Sequence, residues 1–442
     1  MQRSKYCYIV PFKEDYLVYN TMRGSLTVID SEMYDILMTG KGPPEIIDTL
    51  SKQGLLVEDT CQEMDMVQAS LEQKKWCPPS TGYRGSPLGR VAFLNFVITH
   101  ECNLNCSYCY RNSSACTGHM TQKVAEKGIK FAENQIASDI DTLFVSFYGG
   151  EPLLNQECMA LITETLQKVC SEAGVSLLIK LFTNGTLLTT ERLDILSQFA
   201  VADIHITFDA PEPYHHTKRV FPDGTSSFQS VVQGAQRVED QGMNLILRIN
   251  IWEDNIIPFL EVLREAGLEK AHMYFGTVTP RMDYCTHYYS SYGYPGPSDL
   301  FCEVMEKATQ KGFTALPFGI GVYFSLCAGV TDWFHIIDVD GHVYKCMSLV
   351  GDTRHAAGSL NAHGTLDKTP AYYSWMVRNP LAIAECKNCV MLPRCMGGCP
   401  AIALRERGTL HAPGCFTVDF TRQLLGLPLV KAYAREQKEG CE

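Results

Sequence analysis

Three cysteines, Cys102, Cys106 and Cys109, follow the apolar run RVAFLNFVIT, with three residues between the first pair and two between the second. A second set of seven lies further on: Cys327 and Cys346, then Cys386, Cys389, Cys395 and Cys399 at spacings of two, five and three residues, then Cys415. In a reducing compartment such spacing reads as metal ligation or catalysis rather than as a disulfide framework. Structural zinc is the simplest candidate, since zinc favours cysteine pairs in a tetrahedron. It takes four ligands, however, and seven cysteines divide badly into fours. Iron–sulfur clusters held by thiolates are the other chemistry. The remaining nine of the nineteen cysteines (Cys7, Cys61, Cys77, Cys116, Cys158, Cys170, Cys285, Cys302, Cys441) are scattered and read as small buried hydrophobes.

The elements that must position these thiols show in the hydrophobic pattern. From Arg90 the chain alternates strand and helix patterns six times, with strands VAFLNFVI, TLFVSFY, SLLIKLF, DIHITF, LILRINI and AHMYFG and helices between them, for instance over 124–136 and 190–199. Continuous apolar strands in regular alternation predict an α/β fold with a parallel sheet covered by helices. The first cysteine loop then falls directly after the first strand. Strand two ends in Tyr148, Gly149, Gly150, Glu151, Pro152, where consecutive glycines let the backbone approach a ligand closely. Strand three closes with Thr183, Asn184, Gly185, and strand four with Thr207, Phe208, Asp209. Arg248, in LRINI, is a cation on an apolar strand and needs a partner. Asp340 and Gly341 stand between the alternating runs FHIIDV and HVYKC, a hairpin signal that brings Cys327 and Cys346 together.

Ahead of this region, residues 1–76 hold the strand-like runs CYIVPF, YLVYN and SLTVID, helices near 31–38 and 44–53, a strand GLLVE and a polar helix through residue 75. That order predicts a small winged-helix-like domain. Residues 77–89 contain prolines and glycines that break any period and read as a linker.

A chain of 442 residues, 45% hydrophobic and 20% charged, predicts a soluble globular protein of two or three domains. The start, MQRSKYCYIV, lacks an apolar signal segment, and no run reaches the ~20 residues of a membrane span. A cytoplasmic location without a membrane partner is expected. The net charge of −11, with no block of Lys or Arg, gives nucleic acid no basic surface.

The triple-cysteine loop resembles that of the radical S-adenosylmethionine (SAM) superfamily. The resemblance implies that Cys102, Cys106 and Cys109 hold three irons of a 4Fe–4S cluster. SAM chelates the fourth iron and is cleaved reductively to a 5′-deoxyadenosyl radical that abstracts a hydrogen from an inert C–H bond. The cofactor carries this chemistry and the protein positions it. The resemblance also implies a partial (β/α)6 TIM-like barrel, with ligands at the carboxyl ends of the strands. Gly149, Gly150 and Glu151 match the family's GGEP motif, which binds the SAM amino group. Tyr108 matches an aromatic that contacts the adenine, although simple packing of the loop accounts for it equally. Asn184 joins the SAM contacts, and Thr207 matches a hydroxyl on the ribose. The segment ITFDAPEPYHHTKRV is similar to the SIDGP…HD…R stretch of maturase members: His215 and Arg219 match, while His216 replaces an Asp and Ala210 a Gly. Arg248 faces either the SAM carboxylate or a structural one.

The second cysteine set, with Gly341, resembles the SPASM auxiliary-cluster domain. The implied division is 1–76 precursor-peptide recognition, 77–89 linker, 90–316 radical SAM core, 317–420 SPASM domain and 421–442 tail; the runner-up for the first unit is a packing subdomain that binds nothing. Cys386, Cys389, Cys395 and Cys415 would hold the outer auxiliary cluster, and Cys327, Cys346 and Cys399 the inner one. Three cubanes need twelve thiolates and the two sets supply ten; SAM accounts for one gap. Where sulfatase maturases supply a fourth inner ligand this chain has Gly321, so the inner site is either open to a substrate thiolate or completed by Cys285 or Cys302. The function implied is a maturase of ribosomally made precursor peptides. Its partners are a peptide with a leader and an electron donor such as flavodoxin or ferredoxin, and its product carries a thioether or carbon-centred crosslink. Formylglycine formation is the runner-up, because Met347 stands where sulfatase maturases carry a catalytic Asp. A non-enzymatic cluster-bearing scaffold is the reading from a different class.

Overall fold

The computed structural model describes residues 1–76, 89–109, 117–199, 201–209, 211–212, 214–250, 256–276, 304, 307–315 and 326–415. The expected linker but for Gly89, the tail, and Cys77, Cys116, Ala210, Cys285, Cys302, Gly321 and Cys441 lie outside the described residues.

At the N-terminus, β1 (Gln2–Arg3), β2 (Cys7–Phe12), β3 (Asp15–Asn20) and β4 (Leu26–Ile29) precede α1 (Ser31–Thr39), α2 (Pro44–Lys52), β5 (Leu56–Val57) and α3 (Thr60–Trp76). Strands β2, β3 and β4 form an antiparallel meander, and β1 pairs with β5. Helix α1 starts where the Asp30 carboxylate accepts from Met33 N and stops at Gly40, which is left-handed at φ 68°. Val18, Ile29, Leu37, Leu50 and Leu55 are the core of this unit.

The second unit is an α/β barrel of parallel strands, as its alternating pattern predicts. In chain order come β6 (Val91–Thr99), α4 (Gln122–Ile136), β7 (Thr142–Gly149), α5 (Gln156–Ala173), β8 (Ser176–Thr183), α6 (Thr190–Leu196), β9 (Val201–Phe208), α7 (Tyr214–Lys218), α8 (Phe228–Asp240), β10 (Leu245–Asn250), α9 (Ile256–Glu265) and β11 (His272–Gly276). Neighbours in sequence are neighbours in the sheet, all parallel. Alternate residues of each strand, such as Ala92, Leu94, Phe96 and Ile98 of β6, face the helical layer and pack against α4 and α5. Gly128 lets α4 close on β6, since a Cβ there would lie 2.5 Å from Phe96 Cε1.

The sheet goes further than six strands. A short β12 (Thr314–Ala315) pairs parallel with β11. On the opposite edge, β13 (Phe334–Ile337) pairs parallel with β6, and β14 (His342–Tyr344), β15 (Gly358–Leu360) and β16 (Leu366–Lys368) continue it antiparallel. The expected Asp-Gly hairpin is the β13–β14 turn, with Gly341 at φ 87°. The sequence reading missed β15, β16 and the docking of the hairpin on β6. Edge pairing is a tertiary choice that covers unpaired backbone groups, and short strands leave little periodicity. The rest of the cysteine-rich segment is short helices and turns: α10 (Pro370–Met376), α11 (Ala384–Lys387), α12 (Leu392–Cys395) and α13 (Pro400–Arg407).

A separate core joins the two ends of the chain: Tyr6, Val67 and Leu71 pack with Val330, Tyr344, Trp375 and Leu392. Polar contacts reinforce it, with Thr21 Oγ1 donating to Val390 O at 2.6 Å and Arg394 Nε to Thr21 O at 2.7 Å. Among the described residues no helix is long and apolar enough to cross a membrane.

Candidate functional site

The first cysteine loop leaves β6 at its carboxyl end, where the register with β7 shifts between Val97 and Thr99. His100 anchors its start: Nε2 lies 2.7 Å from Asp338 Oδ1, both side chains buried, which ties the loop to the β13–β14 turn. Its middle is stitched to the far side of the barrel by Asn105 N donating to Val220 O (2.7 Å) and Ser107 N to Lys218 O (2.9 Å). The loop therefore holds its three half-buried thiols on a rigid frame. Burial pushes the Cys106 thiol up to about 11, the Arg219 guanidinium opposes this, and Cys109 and Cys102 add to it. A metal centre must displace such protons on binding, which a charged metal does. Cys102 Sγ accepts from Leu104 N at 3.4 Å and from Asn184 Nδ2 at 3.8 Å. Asn184 also donates to Asn103 Oδ1, at 2.8 Å.

Gly149 lies beside this loop at φ 137°, and a Cβ there would stand 2.1 Å from Thr99 O. Gly150 N donates to that same carbonyl at 2.9 Å. Only glycine allows this approach. Glu151 is fully buried; its carboxylate accepts from Thr183 Oγ1 (2.8 Å), Leu153 N (3.1 Å) and Asn184 N (2.7 Å), and burial raises its pKa. The acid thus ties the ends of β7 and β8 together. The half-buried glycine backbone is the part of the motif open to a ligand.

Tyr108 points its hydroxyl into a closed network: it donates to Asp209 Oδ2 at 2.5 Å and accepts from Arg219 Nη1 at 2.8 Å, while Asn250 Nδ2 donates to Asp209 Oδ1 at 2.5 Å. Arg219 and Asp209 are 3.9 Å apart and buried. The hydroxyl thus helps pack the loop, which is compatible with an adenine contact through the ring and backbone. Beneath the network His215 is buried, with Nε2 3.0 Å from Ser227 Oγ; burial, then the charge of Arg219, pushes it down to about 3. Thr207 and Arg248 are cross-strand neighbours on β9 and β10, half-buried; burial depresses the charged form of His205, and Arg248 adds to this. The sequence reading named Asp209 only as the close of strand four and missed Asn250 and Asn103, although polar residues at the ends of barrel strands were the available signal.

In the cysteine-rich segment Cys386, Cys389, Cys395 and Cys415 line one cavity with Leu392 and Gly397. Three successive left-handed residues, Met396 (φ 48°), Gly397 (φ 88°) and Gly398 (φ 70°), reverse the chain after Cys395 and turn Cys399 away from that cavity's lining. Cys399 and Cys346 instead act on Cys327: burial, then these two thiols, push Cys327 up to about 12. All described cysteines are free thiols. Of the scattered ones, Cys7, Cys158 and Cys170 are buried as expected, whereas Cys61 is exposed, because it opens α3 on its solvent side. Among the described residues no group of His, Cys, Asp or Glu is placed to hold a single metal ion. Thiols ringing a cavity, rather than converging on a point, fit a multi-iron cluster better than zinc.

Residues 96–266 match the model of the Radical SAM superfamily. Among curated relatives, the radical SAM cyclopropyl synthase TigE of Paramaledivibacter caminithermalis is 22% identical over 53% of this chain and 54% of its own length. A probable GTP 3′,8-cyclase of Methanothermobacter thermautotrophicus is 26% identical over 40% of this chain and 55% of its own. The chain thus spans about half the length of the curated relatives it matches. Among solved structures, anSMEcpe with bound AdoMet and the Cp18Cys peptide aligns over 78% of this chain and 99% of its own, with TM-score 0.60 and 18% identity. SuiB of Streptococcus suis bound to the precursor peptide SuiA aligns over 93% of this chain and 98% of its own, with TM-score 0.52 and 14% identity.

Proposed function

We propose that this chain is a radical SAM maturase of a ribosomally made precursor peptide, acting by hydrogen abstraction and forming a thioether or carbon-centred crosslink. One observation carries the reading: two separate thiol constellations, a triad at the mouth of the barrel and a tetrad lining a cavity outside it, share one chain. The likeness to SuiB supports it, because it reaches 93% of this chain, against 78% for anSMEcpe.

When bound, SAM and three 4Fe–4S clusters supply hydrogen-atom abstraction from an unactivated C–H bond and a sink for the electron that the peptide then loses, its proton passing to solvent. Cys102, Cys106 and Cys109 hold the SAM-binding cluster, on a loop fixed by the His100–Asp338 contact. Gly149 and Gly150 offer backbone groups to the SAM amino group, Glu151 and Asn184 hold that backbone, and Thr207 and Arg248 offer a hydroxyl and a cation from the strands opposite. Cys386, Cys389, Cys395 and Cys415 hold the outer auxiliary cluster. Cys327, Cys346 and Cys399 hold the inner one and leave a corner for a peptide thiolate. The N-terminal unit grips the leader, and flavodoxin or ferredoxin delivers electrons in the cytoplasm.

Mass spectrometry tests this on the full chain, reconstituted anaerobically and incubated with SAM, dithionite and the short peptide encoded beside its gene. Loss of two hydrogens together with deoxyadenosine release is expected, and an unchanged peptide mass sinks the reading. A cysteine or serine converted to formylglycine would instead select the sulfatase-maturase reading, which Met347 disfavours. No deoxyadenosine at all would leave a scaffold.

A further inference from the structure

Arg378 is one of the largest fully buried side chains in the molecule, 1% exposed. Its Nη2 donates to Gly397 O at 2.6 Å and its Nη1 to Ala412 O at 3.0 Å. Gly397 stands between Cys395 and Cys399, and Ala412 lies three residues before Cys415. The guanidinium is therefore inserted between the segments that carry both auxiliary thiol groups. The thiols that act on its charge are two of each group: Cys327 and Cys399 of the inner, Cys386 and Cys395 of the outer. Among the described residues no carboxylate pairs with it. The neighbouring charge is another cation, Lys75 of α3, whose Nζ donates to Met376 O at 2.8 Å.

An isolated buried cation is costly, and two carbonyls satisfy its hydrogen bonds without balancing its charge. The balance has to come from anionic thiolates on either side. We infer that Arg378 is the shared counter-cation of the two auxiliary cysteine groups, placed between them to favour the reduced state of the clusters they hold. The inference rests on the reading that both groups hold iron–sulfur clusters. The step it assists is a one-electron transfer in which the peptide carbon radical is oxidised, an auxiliary cluster is reduced and the proton passes to solvent. Cluster potential follows net charge and hydrogen bonding around the sulfurs, so a fixed positive charge raises it.

The test is an EPR-monitored redox titration of the reconstituted full chain as wild type, R378Q and R378K, with iron and sulfide assayed on each. The barrel cluster is told apart by the change in its signal when SAM is added. R378Q is expected to retain iron and to lose at least tenfold in the equilibrium constant for reduction of both auxiliary clusters, about 59 mV for one electron. R378K is expected to stay near wild type. Unmoved potentials in R378Q with full iron content overturn the inference and leave Arg378 a clamp, and a shift in one cluster alone overturns the shared role. If R378Q fails to assemble its clusters, R378K decides: a wild-type potential supports the inference and a lowered one overturns it. Wild-type protein with iron for the barrel cluster alone would overturn the auxiliary-cluster reading itself, and the inference with it.

Discussion

The barrel triad and the C-terminal thiols each have a buried arginine beside them, and the two arginines are balanced differently. Arg219, next to Cys106, lies 3.9 Å from Asp209 and donates to the Tyr108 hydroxyl, which itself donates to Asp209. Asp209 therefore offsets part of its charge, although Arg219 still opposes the rise of the Cys106 thiol. Among the described residues Arg378 has carbonyl acceptors and the thiols beside it, and no carboxylate. The same side chain, compensated in one place and bare in the other, would keep the first centre hard to reduce and make the second easy to reduce. That is the order needed if the barrel centre gives electrons to SAM and the auxiliary centres collect them from the peptide.

The largest expected effect separates the two regions outright. Cys102→Ala, Cys106→Ala or Cys109→Ala should abolish deoxyadenosine formation. Cys386→Ala or Cys395→Ala should leave deoxyadenosine forming but end the change in peptide mass. Chromatography of deoxyadenosine beside mass spectrometry of the peptide reads both, and an equal loss of deoxyadenosine from both groups would break the comparison. Next comes Asp209→Asn, which leaves Arg219 buried without its carboxylate. A destabilisation of about 3–5 kcal/mol is expected in urea unfolding. The potential of the barrel cluster should rise, opposite in sign to the change in R378Q. A potential that stays put would mean that Arg219 does not act on the cluster.

How much of this was legible in the sequence follows the range of the interactions. The strands of the barrel and the Asp340–Gly341 hairpin were visible because period and turn chemistry are local. The grouping of the cysteines was visible because their spacing is written along the chain. Glu151 was visible as a motif residue but not as a strand tie, since its partners Thr183 and Asn184 come from the next strand. Arg378 was invisible: it follows the helix PAYYSWM with no pattern of its own, and its meaning comes from Gly397 and Ala412, brought to it by three left-handed residues. The docking of β13 on β6 was likewise a matter of which edge was left uncovered.

Smaller changes test the frame of the barrel site rather than its charge. Gly149→Ala would force a Cβ against Thr99 O from a φ of 137°. A cost of about 1–3 kcal/mol is expected from strain alone. Calorimetric SAM affinity should fall with it, whereas auxiliary iron content should not. A variant with wild-type stability and SAM affinity would show that the turn has room the structure denies.

The smallest effect lies under Arg219. His215 is buried and held neutral, first by burial and then by that guanidinium, with its pKa pushed down to about 3 against an ordinary value near 6.5. A folded pKa below the unfolded one means that the unfolded chain binds the extra proton. Stability from this site is complete above pH 6.5 and is lost as the pH falls from there toward 3. One proton corresponds to a slope of about 1.4 kcal/mol per pH unit. His215→Asn should be less stable than wild type at pH 7 by about 1 kcal/mol, through its weakened contact with Ser227. Its acid limb between pH 6 and 4 should be flatter by that one-proton slope in urea titrations. Parallel limbs would mean that His215 is not held neutral, and that Asp209 cancels the charge of Arg219 before it reaches the imidazole.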